Sequence, residues 1–186
     1  EVNINFKDKF ENVFLKIREA SNPWDHFVRF NGTSYDDDFK SFASDETKDY
    51  FFAGEGGDDL IVGAKEPAEK KNAWEGGDVA VYNSDKKNFT VKVSDLKLTL
   101  NSDKKTVDAA AGDWNNDGKT NAEDVALAQF LFDRFGGETH QQVIVTDLRP
   151  DGPKNLGSDV LYGIERLEFM SGQNFMPFNL AATKHT

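Results

Sequence analysis

Four short stretches of this sequence carry one pattern, and the pattern allows few folds. They are Gly32-Thr33-Ser34-Tyr35-Asp36-Asp37-Asp38-Phe39, Gly54-Glu55-Gly56-Gly57-Asp58-Asp59-Leu60-Ile61, Trp74-Glu75-Gly76-Gly77-Asp78-Val79-Ala80-Val81 and Gly157-Ser158-Asp159-Val160-Leu161-Tyr162-Gly163. Each has small or polar loop residues, an aspartate, then a short apolar run. Aligned on Asp36, Asp58 and Asp78, the first three are spaced 22 and then 20 residues apart. Repetition at such a period marks units that stack to share a core. Ala53 to Ile61 follows G-G-x-G-x-D-x-U-x, with Ala53 replacing the first glycine, and that pattern predicts rungs of a parallel β-roll. Glycine lets turn carbonyls point inward. Stacked loops can then wrap a shared Ca²⁺ in oxygen ligands. The candidate ligands are Asp36, Asp37, Gly54, Gly56, Asp58, Asp59, Gly76, Asp78 and Asp159. The plainer alternative is a set of Gly/Asp turns without metal.

A second feature interrupts the strand-like pattern. Residues 113–124 read D-x-N-x-D-G-K-x-N-x-x-D. Asp113, Asn115, Asp117, Asn121 and Asp124 place oxygen side chains at loop positions 1, 3, 5, 9 and 12, and Lys119 offers its carbonyl at position 7. Gly118 sits where a twelve-residue calcium loop turns sharply. Asp at position 12 departs from the EF-hand and resembles the loop of dockerin modules. Thr120 and Glu123 have capping-box spacing, predicting that a helix starts inside the loop. Val125, Ala128, Leu131, Phe132 and Phe135 recur at helical spacing, and Gly136-Gly137 supplies a C-cap. The alternative is an acidic surface turn before a helix.

Composition narrows the classes. Lys and Arg number 22 against 33 Asp and Glu, a net charge of −11. Such a chain is a poor partner for nucleic acid, which is held by cations on phosphates, and for anionic membranes. About five Ca²⁺ ions would nearly neutralise it. There is no cysteine, which excludes disulfides and thiolate chemistry. No apolar run reaches membrane-spanning length. With 186 residues and sixteen phenylalanines, a single domain over 1–186 is expected, with a helical insertion at 102–141. The lack of a signal peptide at Glu1 predicts a piece of a longer polypeptide.

Elsewhere, Phe6, Phe10, Val13, Phe14 and Ile17 suggest a helical face, although 13–17 could equally be a strand. His26–Phe30, Asn88–Val93, Leu96–Leu100, Gln142–Asp147 and Arg166–Phe169 read as strands. Asp147-Leu148-Arg149-Pro150-Asp151-Gly152-Pro153 is turn-rich, and the tail after Phe178 is small and polar.

The stretch from Val145 to Phe169, V-T-D-L-R-P-D-G-P…G-S-D-V-L-Y-G-I-E-R-L-E-F, is similar to a segment of secreted RTX-type proteins of Gram-negative bacteria, and 53–61 resembles the RTX nonapeptide. Together with the inserted loop, the chain looks like the peptide-binding domain of a large RTX adhesin. That resemblance implies a mainly β, β-sandwich or β-roll-like fold with RTX-type calcium loops. It also implies calcium ligands at Asp147, Asp151, Asp159 and Glu165, type I secretion, and a place on the bacterial surface in adhesion or biofilm formation. The expected function is calcium-dependent binding of a peptide or protein on a target surface, with a glycan as alternative. An incompletely coordinated Ca²⁺ would accept a ligand carboxylate. Trp74, Tyr82, Trp114 and Tyr162 lie in or beside the loops and could give contact area; Arg149 could clamp a carboxylate. A segment of an RTX enzyme is a weaker reading. The three histidines, His26, His140 and His185, fit no H-E-x-x-H, and no G-x-S-x-G is present.

Overall fold

The computed structural model describes residues 2–5, 27–40, 48–52, 56–64, 77–150, 155–171 and 174–179. The chain is mainly β, with one α-helix among these residues. One six-stranded sheet holds β1 (Val2–Asn5), β2 (Phe27–Asn31), β4 (Lys48–Phe52), β6 (Val79–Tyr82), β11 (Arg166–Ser171) and β12 (Asn174–Asn179), in that spatial order. The other has the order β3 (Asp38–Lys40), β5 (Leu60–Val62), β10 (Ser158–Tyr162), β9 (Thr139–Asp147), β7 (Phe89–Leu100) and β8 (Val107–Ala111).

The chain order explains the repeat. From β2 to β6 successive strands alternate between the sheets, and neighbours within each sheet run parallel. This is a coil whose turn is one rung, so the 22-residue spacing from Asp36 to Asp58 is one full turn. After β6 the chain leaves the coil. It builds the antiparallel strands β7, β8 and β9, then returns as β10 beside β5 and β11 beside β6, both parallel to those neighbours. Asn88–Val93 and Leu96–Leu100, expected as two strands, form the single strand β7. Val2–Asn5 is a strand paired with β2; Phe6, Phe10, Val13, Phe14 and Ile17 lie outside the described residues.

The sheet with β10 is sandwiched between two apolar layers. Phe39, Phe51, Ile61, Tyr82, Val143, Leu161, Leu167 and Phe169 fill the space between the sheets. On the opposite face, Val62, Leu98, Ile144, Val160 and Tyr162 pack against Leu127, Ala128, Leu131 and Phe135 of α1 (Ala122–Phe135). Burial on both faces accounts for the unbroken apolar runs of β5 and β10, as parallel strands require. Each buried Leu or Phe contributes about 1.5–3 kcal/mol.

Helix α1 begins one residue later than the Thr120–Glu123 spacing suggests. Asn121 is the N-cap and accepts from Glu123 N at 2.6 Å, while Asp124 closes the capping box by accepting from Asn121 N at 2.7 Å. Asp124 wins the role because it is fully buried and anchored on both oxygens, whereas Glu123 is exposed. Gly136, at φ 74°, ends the helix. The segment 102–141 thus contains β8 and the start of β9 as well as the loop and helix.

Candidate metal centres

The coil turns its aspartates into two rows. Register between β3, β5 and β10 pairs Asp38 with Leu60 and Leu60 with Val160. The residues one step earlier, Asp37, Asp59 and Asp159, therefore stack across three rungs. Asp37 N donates to Asp59 Oδ1 at 2.9 Å, and Asp59 N to Asp159 Oδ1 at 3.1 Å. All three are buried, at 7%, 1% and 0% exposure. By strand alternation they share the inward face with Phe39, Ile61 and Leu161.

Beside them runs an outer row. Asp58 N donates to Asp36 Oδ1 at 3.0 Å and Ser158 N to Asp58 Oδ1 at 2.8 Å, with Asp36 and Asp58 exposed. The inward aspartate of the second rung is thus Asp59, not Asp58 as the match starting at Ala53 implies. Moving that match forward by one residue, to Gly54–Val62, puts Asp59 at the motif's aspartate and Ile61 at its apolar position. Both registers were open in the sequence because Asp58 and Asp59 are adjacent.

The glycines make this stacking possible. A Cβ on Gly157 would lie 1.7 Å from Gly57 O, and one on Gly57 would lie 2.4 Å from Tyr35 O. Rung backbones pass too closely there for any side chain.

Asp78 does not join either row. It precedes β6 in the other sheet and pairs with Glu165, whose Oε2 accepts from Asp78 N at 2.7 Å. The 20-residue step from Asp58 to Asp78 is therefore a crossing between sheets, not another full turn. Gly54, Gly76, Trp74 and Asp151 lie outside the described residues.

The inner row is electrostatically unfavourable as it stands. Asp59 Oδ2 and Asp159 Oδ2 are buried without a hydrogen-bond partner. Burial, then the neighbouring Asp159 charge, pushes the Asp59 carboxyl up to about 9. Burial drives Asp159 well upward too. The Tyr82 hydroxyl approaches Asp159 without completing a hydrogen bond, and burial followed by that charge raises the phenol well above its ordinary range. Two buried carboxylates side by side call for a proton or a cation. This donor set fits a hard cation such as Ca²⁺. Among the described residues, no three His, Asp or Glu side chains converge to hold a metal. An ion here would therefore draw on backbone carbonyls as well.

The loop at 113–124 is closed by its own oxygens. Asp113 accepts from Asp117 N at 3.0 Å and Gly118 N at 2.8 Å, Asn115 Oδ1 accepts from Asp117 N at 3.3 Å, and Asp117 accepts from Lys119 N at 2.8 Å. Asn116 and Gly118 adopt left-handed conformations, φ 58° and 80°. Asp124 Oδ1 accepts from Trp114 N at 2.6 Å, tying position 12 to position 2. The Asn121 side chain caps α1 rather than serving the loop.

Other expected roles change with the geometry. Asp147 is saturated: Arg149 N donates at 2.9 Å, Leu156 N at 2.9 Å and Arg149 Nε at 3.0 Å to its carboxylate, with Nη2 beside Oδ2. Burial opposes its charge, but the Arg149 and Leu156 hydrogen bonds hold it below the ordinary range. A cation would have to displace the guanidinium, so Asp147 serves as a loop anchor. Arg149 is correspondingly engaged within the chain, and its guanidinium lies over the Phe89 ring at 5.9 Å. Tyr82, Trp114 and Tyr162 are 1%, 0% and 1% exposed and offer no face to a ligand. His140 is buried against Trp114 and Phe135.

Sequence reading missed Gln142. It is 3% exposed, and its Nε2 reaches Asp113 O at 2.9 Å, Trp114 O at 3.1 Å and the Tyr162 hydroxyl at 3.2 Å. A glutamine before the apolar run Val143–Val145 was the only available signal.

Comparison with protein-family models, with curated proteins and with solved structures found no match to this chain.

Proposed function

We propose that this chain is a calcium-stabilised, extracellular ligand-binding module of an RTX-type adhesin. The observation that carries the reading is the pair Asp59 and Asp159. Two carboxylates on neighbouring parallel rungs are buried with an oxygen each unpartnered. Ca²⁺ offers such oxygens a hard, divalent partner. The twelve-residue loop from Asp113 to Asp124 would hold a second ion in the manner of a dockerin loop. The excess of acid over base, 33 to 22, fits a chain that carries several ions.

Adhesive function rests on the sequence likeness at 145–169 and on the chemistry of the exposed end of the coil. Asp36 and Asp58 are exposed there, in the loops preceding the parallel strands, and Tyr35 is 56% exposed. An ion near these loops could accept a carboxylate from a peptide terminus, with Tyr35 beside it. Trp114, Tyr82 and Tyr162 take no part in that contact.

Calcium calorimetry on the wild type and on Asp59→Asn/Asp159→Asn tests the metal reading. Micromolar to millimolar binding should be present, with at least one ion lost in the double variant. Absence of binding, or an unchanged ion count in the variant, contradicts it. Capture of peptides bearing a free C-terminal carboxylate, abolished by chelator, tests the ligand; glycan binding without peptide binding would favour the sugar alternative.

A further inference from the structure

Resting on the calcium reading above, we infer that the 113–124 loop and the Asp59–Asp159 row are coupled through β10, so that a divalent cation at one raises the affinity of the other. Strand β10 belongs to both. Its first two residues, Ser158 and Asp159, lie in the stacked rows, and its last residue, Tyr162, touches the loop at Trp114 O. At about 3.3 Å per residue, Asp159 and Tyr162 are only about 10 Å apart along the strand.

The contact at the loop end is dense and buried. The Tyr162 hydroxyl donates to Trp114 O at 2.7 Å and accepts from Gln142 Nε2 at 3.2 Å. Gln142 also grips Asp113 O and Trp114 O. Loop positions 1 and 2 are thereby fastened to β9 and β10. The other side of the Trp114 residue is fastened to position 12, through Asp124 Oδ1. The Trp114 ring is fully buried, stacked on Tyr162 at 6.2 Å and edge-on to His140 at 5.8 Å.

The structure shows this loop docked, and the coupling sets that arrangement against an opened one. Docked, Asp113 and Asp124 are held together by a buried tryptophan seated on β9, through His140 and Gln142, and on β10, through Tyr162. Undocked, Trp114 leaves the core and the Tyr162 and Gln142 groups lose their partners, a costly opening. A cation in the loop favours the docked form by holding Asp113 and Asp124 together. A cation between Asp59 and Asp159 favours it by fixing the start of β10 against β5, to which it is paired in parallel. Two ligands that bias one element are linked reciprocally. A self-contained calcium loop on the surface, which the spacing alone would suggest, would show no such linkage.

Hydrogen–deuterium exchange by mass spectrometry during a Ca²⁺ titration of the whole chain tests this. Peptides covering 113–124 and 157–162 report the two places separately. Asp117→Ala alters an exposed loop position. It should raise the calcium midpoint for protection of 157–162 by about 5-fold or more, the low end of ordinary coupling. In a Tyr162→Phe background, which keeps the ring and the Gln142 contacts to the loop but removes the hydroxyl, Asp117→Ala should move that midpoint by less. If wild type gains no protection from calcium, the calcium reading and the coupling fail together. If protection is gained but 157–162 responds identically in wild type and Asp117→Ala, the coupling alone is overturned. Persistence of the full shift in Tyr162→Phe overturns the route through the hydroxyl. Should Tyr162→Phe not fold, the wild-type and Asp117→Ala comparison decides by itself.

Discussion

Gly157 and Gly118 share a left-handed backbone, φ 81° and 80°, yet they do different work. A methyl at Gly157 would strike the Gly57 carbonyl, while nothing lies within 4 Å of one at Gly118. Gly118→Ala should cost only the conformational penalty, about 1–2 kcal/mol. Gly157→Ala should cost about 4 kcal/mol or more, or prevent folding, because the rungs must separate. Urea denaturation in chelator compares the two; equal losses would mean the rungs are not in close contact. Asp59 gives a second prediction. Its folded value of about 9 exceeds its ordinary 3.8, so between those values the folded state holds a proton that the unfolded state lacks. Calcium-free stability should therefore fall as pH rises from about 5 to 9. On the calcium proposal the cation takes the proton's place, so its stabilising effect should grow over the same range. The Asp147 carboxylate acts oppositely and elsewhere: held low, it contributes stability that is lost only as pH falls through and below 3.8. Melting temperatures in chelator that rise toward pH 9 would contradict the buried pair.

Among the elements, α1 offers the cleanest discrimination. Asp124 caps the helix and also receives Trp114 N, whereas Glu123 is exposed. In chelator, Asp124→Ala should cost about 2–4 kcal/mol by stranding two amides. Glu123→Ala should stay within about 0.5 kcal/mol. The reverse ranking would restore the Thr120–Glu123 cap. This helix was largely legible in sequence: apolar spacing and paired glycines set its face and its end. Its start was not, since Asn121–Asp124 and Thr120–Glu123 have the same spacing, and only burial of Asp124 separates them. Strand β10 shows the same limit. Its apolar run was plain, but its place beside β5, a hundred residues earlier in the chain, depends on pairing that no local pattern encodes.

At the scale of the whole molecule, the repeat announced a coil, and a coil forms: β2 to β6 alternate between two sheets with parallel neighbours. The repeat could not reveal that Asp78 and Glu165 lie together on the sheet of β6 and β11, since a half turn and a full turn here differ little in length. Nor could composition foretell that Tyr82, Trp114 and Tyr162 are core residues, because aromatics beside acidic loops suit a binding face equally well. What unites the architecture is buried acid. Asp59 and Asp159 are stacked inside the coil, and Asp124 is buried in the first turn of the helix. A cation that binds only the native state adds its binding free energy to folding. One site at a hundredfold its dissociation constant gives about 2.7 kcal/mol, or roughly 5–10 °C in a domain of this size. The most direct measurement is a thermal melt at pH 7.5 in chelator and in millimolar Ca²⁺. A rise of at least that size is expected in the wild type, and a smaller one in Asp59→Asn/Asp159→Asn, where only the 113–124 loop remains to bind; identical melts with and without calcium would contradict the buried-acid reading.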